Sequence, residues 1–411
     1  MKTTDIFILG GGPAGMSAAL FLAKNGFNCT LIEKKVFPRD KICGDALSGK
    51  VISVLKHIIP DIHNKLKISE IATDCKGIKF ISPNNTEVSV PFSSDYYTNE
   101  NNEPSGFIMK RIDFDNMLYN ECKTLEQITF IQNCTYETFE KLTDGYKFKL
   151  SNGETIQTKI VLCADGNQSL FARKEAKIDK SIKHHSGSVR AYFENVQNFE
   201  KGNFLELYFL DTYSPGYFWI FPLPNGQANV GLGIRSDYIS KEKINLKNVF
   251  TELVTTHPII KERLKNSTQT SQLQGFGIPL GSMQRNISGD HYLVLGDAAA
   301  LVDPFTGEGI GNALVSGKIA AEVAMNALKN NKFDQKYLSQ YDKLVYSKLG
   351  SELKMSSYLQ KFSIYPWLLN MTFKKIKNNT ELKNTVTAMF GNVDLRKKFR
   401  NPLFYLRILF Q

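Results

Sequence analysis

Asp5-Ile6-Phe7-Ile8-Leu9-Gly10-Gly11-Gly12-Pro13-Ala14-Gly15 is the stretch on which the fold turns. The apolar run Asp5–Leu9 predicts a buried parallel strand. Gly10–Gly15 predicts a turn, and Ala14–Asn25 a helix closed by Gly26 just past its end. Asn28–Glu33 predicts a second strand, which completes a right-handed βαβ unit. The turn contains G-x-G-x-x-G: Gly10, Gly12 and Gly15 let the backbone approach a pyrophosphate, while Pro13 and Ala14 open the helix. The free N–H groups and positive dipole at that helix start favour an anion. Glu33 ends the second strand, where a carboxylate accepts hydrogen bonds from ribose hydroxyls, and Lys34 follows it in the same candidate site. An acidic residue there argues against a 2′-phosphate. This motif alone does not separate NAD from FAD.

A second glycine-rich segment bears on that choice. The predicted strand Tyr292–Leu295 runs into Gly296-Asp297-Ala298-Ala299-Ala300. Asp303-Pro304-Phe305-Thr306-Gly307-Glu308-Gly309-Ile310-Gly311 follows and opens a helix, Gly309–Asn326. Asp297 suits a ribityl hydroxyl. The N–H groups around Gly309 and Ile310 suit the electron-rich edge of a flavin ring, where they would stabilise negative charge on reduction. A simple NAD dehydrogenase needs no second site, whereas the longer FAD does. No further G-x-G-x-x-G follows a strand, so the reductant is NAD(P)H bound transiently or another electron carrier.

The chain has 411 residues, 42% apolar and 22% charged, which is ordinary globular composition for two or three domains. Its net charge of +11 fits either a polyanionic partner or a lysine-rich surface. No segment has the pattern of a nucleic-acid binder, so no nucleic acid is expected. Six scattered cysteines without Cys-x-x-Cys spacing argue against a disulfide framework or zinc, and for a reduced, cytoplasmic setting. The histidines are dispersed, with His184-His185 read as a surface pair. Several strands between Ser188 and Ile234 without intervening helices predict an antiparallel sheet. Turns at Asp144-Gly145 and Asn152-Gly153 predict hairpins, and Thr98–Glu103 reads as a surface loop.

The expected architecture is α/β. A Rossmann-like FAD-binding domain is discontinuous over 1–70, 105–180 and 280–350. A β-rich substrate domain is inserted as 71–104 and 181–279, and a basic helical region covers 351–411. From residue 366 onward, Lys374, Lys375, Lys377, Lys383, Arg396, Lys397, Lys398, Arg400 and Arg407 face only Glu381 and Asp394, with Trp367, Phe373 and Leu403–Phe410 mixed in. Two readings stay open. The region docks on an anionic membrane, peripherally at the inner surface, or packs its apolar face on the body of the protein.

The chain resembles the flavoprotein superfamily that includes para-hydroxybenzoate hydroxylase and, within it, the geranylgeranyl reductase family, from residue 3 to about residue 350. Five matches carry the resemblance: the first glycine motif; Arg39-Asp40-Lys41-Ile42-Cys43-Gly44-Asp45; Ala164-Asp165-Gly166 with Ser169; Gly296-Asp297; and Tyr217-Phe218-Trp219-Ile220-Phe221-Pro222 with Gly231-Leu232-Gly233 downstream. The last is the most specific. In a strand, Tyr217, Trp219 and Phe221 share one face. The resemblance makes them, with Gly231, a wall for substrate; packing of an interdomain core is the alternative. It also implies that Arg39, Cys43, Gly44, Arg111, Asp165, Gly166 and Pro304 belong to the flavin site. Cys43 is either a proton donor or a residue packed on the flavin, and Arg111 either contacts FAD or makes a surface ion pair. The implied reaction is reduction of carbon–carbon double bonds in a hydrophobic isoprenoid chain. A monooxygenase acting on an aromatic or polyketide ring is the alternative, and a non-catalytic flavin- or lipid-binding protein a further rival. Flavin halogenases carry tryptophan where this chain has Tyr217 and isoleucine where it has Phe221, which argues against halogenation.

Overall fold

The computed structural model describes residues 1–92, 106–179, 181–380, 382, 383 and 387. The first sheet has the order Ser288–Gly289, Tyr292–Val294, Thr155–Cys163, Lys2–Leu9, Cys29–Ile32, Ile128–Ile131. Its inner pairings are parallel. Ile6, Phe7, Ile8 and Leu9 are all inaccessible to solvent, so both faces of the central strand are covered. That strand begins at Lys2 rather than Asp5, because the ladder to Thr155–Cys163 continues through Lys2↔Ile156, beyond the apolar run. Helix Pro13–Lys24 starts on a proline in its first turn, and Gly26 follows it with φ +79°.

Both predicted hairpin turns are present, with Gly145 (φ +145°) and Gly153 (φ +84°). The hairpin strand Tyr136–Leu142 was not legible: in its sequence YETFEKL the charged side chains lie in solvent, and Tyr136, Phe139 and Leu142 recur every third residue rather than alternating.

The second sheet runs Thr268–Gln269, His185–Glu194, Ala228–Arg235, Gly216–Pro222, Leu205–Phe209, Gly77–Ile81, Glu87–Pro91. It is antiparallel from 185 to 235 as expected, with one correction: Leu205–Phe209 pairs parallel with Gly77–Ile81. Those two strands come from separate segments, so no tight turn forces them antiparallel. Side chains alternate across this sheet. Phe218 and Ile220 face the helix Leu246–Thr256, with Phe218 and Phe250 rings 5.6 Å apart, and Tyr217, Trp219 and Phe221 take the opposite face, toward the first sheet's loops.

A small third sheet, Ala46–Leu47, Gly106–Met109 and Ala72–Cys75, joins the two units and was not anticipated. The expected loop Thr98–Glu103 and the terminal Leu403–Phe410 lie outside the described residues. His184 and His185 are half-buried rather than a surface pair: His184 meets Ser282 Oγ at 2.7 Å, and His185 meets Ser236 Oγ at 2.9 Å.

Candidate functional site

The first glycine turn is tight on one side and open on the other. A Cβ at Gly10 (φ +99°) would lie 2.6 Å from the Ala164 carbonyl oxygen, and one at Gly15 would lie 2.0 Å from that of Gly10. A Cβ at Gly12 would meet nothing within 4 Å, and neither would one at Gly166, which has φ +81°. The open sides of these two turns leave room for a pyrophosphate beside the first turn of helix Pro13–Lys24, whose leading N–H groups lack intrahelical acceptors. Glu33 is buried at the end of Cys29–Ile32 and accepts from the Gly11 and Lys35 backbone N–H groups, both at 3.0 Å. Lys34 is exposed beside it. Asp165 turns inward instead: its carboxylate accepts from Tyr136 Oη at 2.8 Å and from Cys163 Sγ at 3.2 Å, and burial raises its pKa above the ordinary value.

The second glycine segment lies directly against the first. A Cβ at Gly317 would sit 2.3 Å from the Ala14 carbonyl oxygen, and one at Gly296 would sit 3.1 Å from the Ala14 Cβ. The start of Pro13–Lys24 is thus held against Gly317, two turns into helix Ile310–Asn330, whose first residue Ile310 is 6% exposed. Asp303 closes the intervening loop by accepting from Phe305 N (2.9 Å) and Thr306 N (2.8 Å), while the Pro304 carbonyl accepts from Gln360 Nε2 at 2.7 Å. Asp297 accepts from Lys41 Nζ at 3.2 Å, which ties the Arg39–Asp45 loop to this segment. Lys50 bridges Glu308 (3.2 Å) to Glu352 on the long helix Gln340–Phe362 (3.1 Å). Burial disfavours the charge on Lys50, and the two glutamates more than offset this, so its pKa is raised.

Two predicted arginines brace the site from below. Arg39 donates to the Gly11 carbonyl at 3.0 Å, lies 3.5 Å from Glu33 and pairs with Asp115 at 2.5 Å. Arg111 is 2% exposed and grips the same Asp115 through Nε and Nη2, both at 2.7 Å, so the surface ion-pair reading is wrong. Its guanidinium also faces the Cys43 side chain. Burial works against the Asp115 charge, but Arg111 and Arg39 prevail and hold its carboxyl below the usual range.

The signature strand Gly216–Pro222 is fastened to both loops. Tyr217 Oη donates to the Thr306 carbonyl at 2.7 Å. Trp219 Nε1 donates to Asn229 Oδ1 at 2.9 Å, and Asn229 Nδ2 donates to the Cys43 carbonyl and to Asp45 Oδ2, each at 2.7 Å. Phe221 packs over Gly44, where a Cβ would lie 3.1 Å from its ring. Gly231 lies opposite Trp219 in the ladder, and a Cβ there would come within 2.1 Å of the indole, so that glycine seats the ring. Beyond the three aromatics, Phe305 of the flavin-side loop stacks on Phe209 (5.8 Å). Phe373 of helix Pro366–Asn378 stacks on Phe80 (5.6 Å), so the three aromatics belong to one buried apolar cluster with Phe209, Phe80 and Phe373.

Asp45, Asn229 and Tyr192 received no role from the sequence. Tyr192 Oη donates to Asp45 Oδ2 at 2.8 Å, and the Arg111 N–H donates to Oδ1 at 3.2 Å. Burial pushes the Asp45 carboxyl up to about 6 from 3.8, although Arg190, Asn229 and Tyr192 pull it down. Ionising it therefore opposes folding. That cost is absent below the unfolded value, grows as pH rises between the two values, and is complete above the folded one. Carbon-13 NMR of labelled aspartate is expected to show a carboxyl titrating near pH 6 that disappears in Asp45→Asn; an unchanged set of shifted resonances in that variant refutes this.

These features fit FAD. The open glycine turns suit its pyrophosphate, Glu33 its adenosine ribose, Asp297 its ribityl chain, and the Gly309–Ile310 helix start its ring. Among the described residues no His, Cys, Asp and Glu group could hold a metal ion.

A family model described as an FAD binding domain matches residues 3–343. The chain is 29% identical over 350 residues to the digeranylgeranylglycerophospholipid reductase of Thermoplasma volcanium, covering 84% of each protein. It is 31% identical over 366 residues to digeranylgeranylglycerophospholipid reductase 3 of Methanosphaera stadtmanae, covering 86% of this chain and 85% of that one. A solved geranylgeranyl bacteriochlorophyll reductase-like protein from Thermoplasma acidophilum superposes with a TM-score of 0.80 at 24% identity, over 97% of this chain and 99% of the other. A flavin-dependent brominase superposes with a TM-score of 0.76 at 19% identity, over 99% of each. At these identities the structural likenesses establish the fold, which serves more than one chemistry.

Proposed function

Given that this chain belongs to the FAD-binding domain family and, within it, to the geranylgeranyl reductases, we propose that it reduces carbon–carbon double bonds in the isoprenoid chain of a lipid. It is an FAD-dependent oxidoreductase. The observation that carries the substrate reading is the aromatic face of Gly216–Pro222, pinned through Tyr217 to one cofactor loop and through Trp219 and Asn229 to the other.

When bound, FAD supplies the hydride for one alkene carbon; a proton goes to the other. The protein's share is to align and to exclude water, because an unactivated alkene offers no carbonyl to polarise. Tyr217, Trp219 and Phe221 provide an apolar wall against which a polyprenyl chain can lie. Cys43, the one half-buried cysteine of six, is the candidate proton donor beside that wall, with Arg111 facing it. NAD(P)H or another carrier delivers the electrons.

The test is mass spectrometry of geranylgeranyl and polyprenyl lipids after incubation with dithionite-reduced enzyme, with and without oxygen. Gain of hydrogen pairs under anaerobic conditions supports the proposal. No anaerobic product, with hydroxylation coupled to oxygen uptake, gives the monooxygenase instead.

Both readings of the C-terminal region enter the proposal. Leu369, Phe373 and Ile376 pack inward on the apolar wall, while the corner before them exposes Tyr358 (51%), Phe362 (47%), Tyr365 (54%) and Trp367 (64%), with Lys361, Lys374 and Lys377 also in solvent. Aromatics edged by lysines suit the surface of an anionic bilayer, peripherally. Among the described residues no helix is long and apolar enough to cross a membrane. The double substitution Phe362→Ser, Trp367→Ser is expected to cut co-sedimentation with phosphatidylglycerol vesicles by roughly tenfold. Undiminished binding would remove the corner from the proposal.

A further inference from the structure

We propose that Asn229 is a positioning residue, which registers the Cys43 loop against Trp219 so that thiol and aromatic wall hold one fixed relation. The proposal deepens the functional reading and rests on it for its turnover arm only.

Asn229 is completely buried, in a row across the sheet between Tyr192 and Phe221. Its side chain makes three hydrogen bonds: Oδ1 accepts from the Trp219 indole, and Nδ2 donates to the Cys43 carbonyl and the Asp45 carboxylate. Only one amide orientation satisfies them. Flipped, the NH2 would face the indole N–H, and the oxygen would face a carbonyl and a carboxylate, with no bond made on either side. The fit is therefore a key with a single setting.

What it holds needs holding. Residues 41–45 have no helix or strand until Ala46, and Asp45 takes a left-handed backbone at φ +67°. The loop is placed by side chains and backbone contacts drawn from other segments: Asn229, Tyr192, the Arg111 N–H, and the Met109 N–H on the Asp45 carbonyl at 3.0 Å. Of these, Asn229 also hydrogen-bonds the signature strand's tryptophan. Gly231 gives the indole space, and Asn229 fixes which way its N–H edge points. A residue that merely satisfied buried groups would affect stability without changing how Cys43 is presented.

The test compares FAD-loaded native protein with Asn229→Leu, which keeps the branching of the side chain and removes all three bonds, and with Trp219→Phe, which keeps a ring and removes one N–H. The first readout is the rate at which iodoacetamide alkylates Cys43, followed by peptide mass spectrometry; the other five cysteines are buried. Asn229→Leu is expected to alkylate roughly fivefold faster and Trp219→Phe to change in the same direction by less, as the loop loosens. The second readout is the anaerobic assay, where kcat is expected to fall about tenfold with KM nearly unchanged, the mark of lost alignment. Alkylation rates in both variants within about twofold of native overturn the proposal. If Asn229→Leu does not retain FAD, Trp219→Phe decides alone. If native enzyme reduces no polyprenyl substrate, the functional reading fails and the alkylation comparison still decides the role of Asn229.

Discussion

Gly231→Ala is expected to lower kcat/KM for a polyprenyl substrate by on the order of 100-fold while FAD stays bound. The added methyl would lie 2.1, 2.5 and 2.6 Å from three indole carbons of Trp219, well inside contact distance. The strand cannot retreat, because Gly231 is paired with Trp219 on one side and Arg190 on the other. The indole must rotate, break its bond to Asn229 and invade the wall. Overpacking of this kind costs about 1–3 kcal/mol, which leaves the fold intact. Gly233 is the internal comparison: a Cβ there would be 3.7 Å from the same ring, an ordinary contact, so Gly233→Ala should lose far less. Flavin absorbance reports cofactor retention, and the anaerobic assay reports turnover. Equal activities in the two variants would mean that Trp219 does not shape the substrate's path.

Asp115→Ala has the largest expected effect on stability. It would leave the Arg111 and Arg39 guanidiniums, with side chains 2% and 9% exposed, without their shared carboxylate. Removing one partner of a buried ion pair costs about 3–5 kcal/mol. Because Arg39 also supports Gly11 and Glu33, the loss should appear as weaker FAD retention as well as a lower melting temperature. The sign of the pH dependence follows from a carboxyl held below its ordinary value of 3.8: its contribution is complete above that value and lost only as pH falls through the still lower folded value. The deficit of the variant should therefore be constant from roughly pH 5 to 8 and shrink in acid. A melting temperature within a degree or two of native at neutral pH would contradict the bracing role.

The glycine turns and Glu33 were legible because their chemistry depends on short spacings that survive in one dimension. The shared face of Tyr217, Trp219 and Phe221 was legible for the same reason, since a strand alternates its side chains. Arg111 was visible as a candidate, but its true partnership was not: Asp115 is one helical turn away, whereas the second arginine on that carboxylate arrives from 76 residues back. Asn229 was hidden more thoroughly, because its loop partners lie 184 and 186 residues away. The only local signal is a lone amide inside the apolar run Ala228–Ile234, which implies a buried partner without naming it. The pairing of strand Gly106–Met109 was not legible, because its partners are two short segments from elsewhere in the chain.

The contact of Ala14 with Gly296 and Gly317 has a consequence for how the protein is made. The first motif leaves the ribosome well before the surface that completes it: Ser17, whose hydroxyl donates to the Leu314 carbonyl, is 297 residues ahead of it. The central strand Lys2–Leu9 likewise waits for Thr155–Cys163, and that strand for Tyr292–Val294. Pairings so distant in sequence form late and slowly. A nascent chain halted short of helix Ile310–Asn330 carries an intact glycine motif with half of its cradle missing. Flavin capture therefore waits for that helix, and until it arrives the unfinished sheet edge is open to wrong pairing.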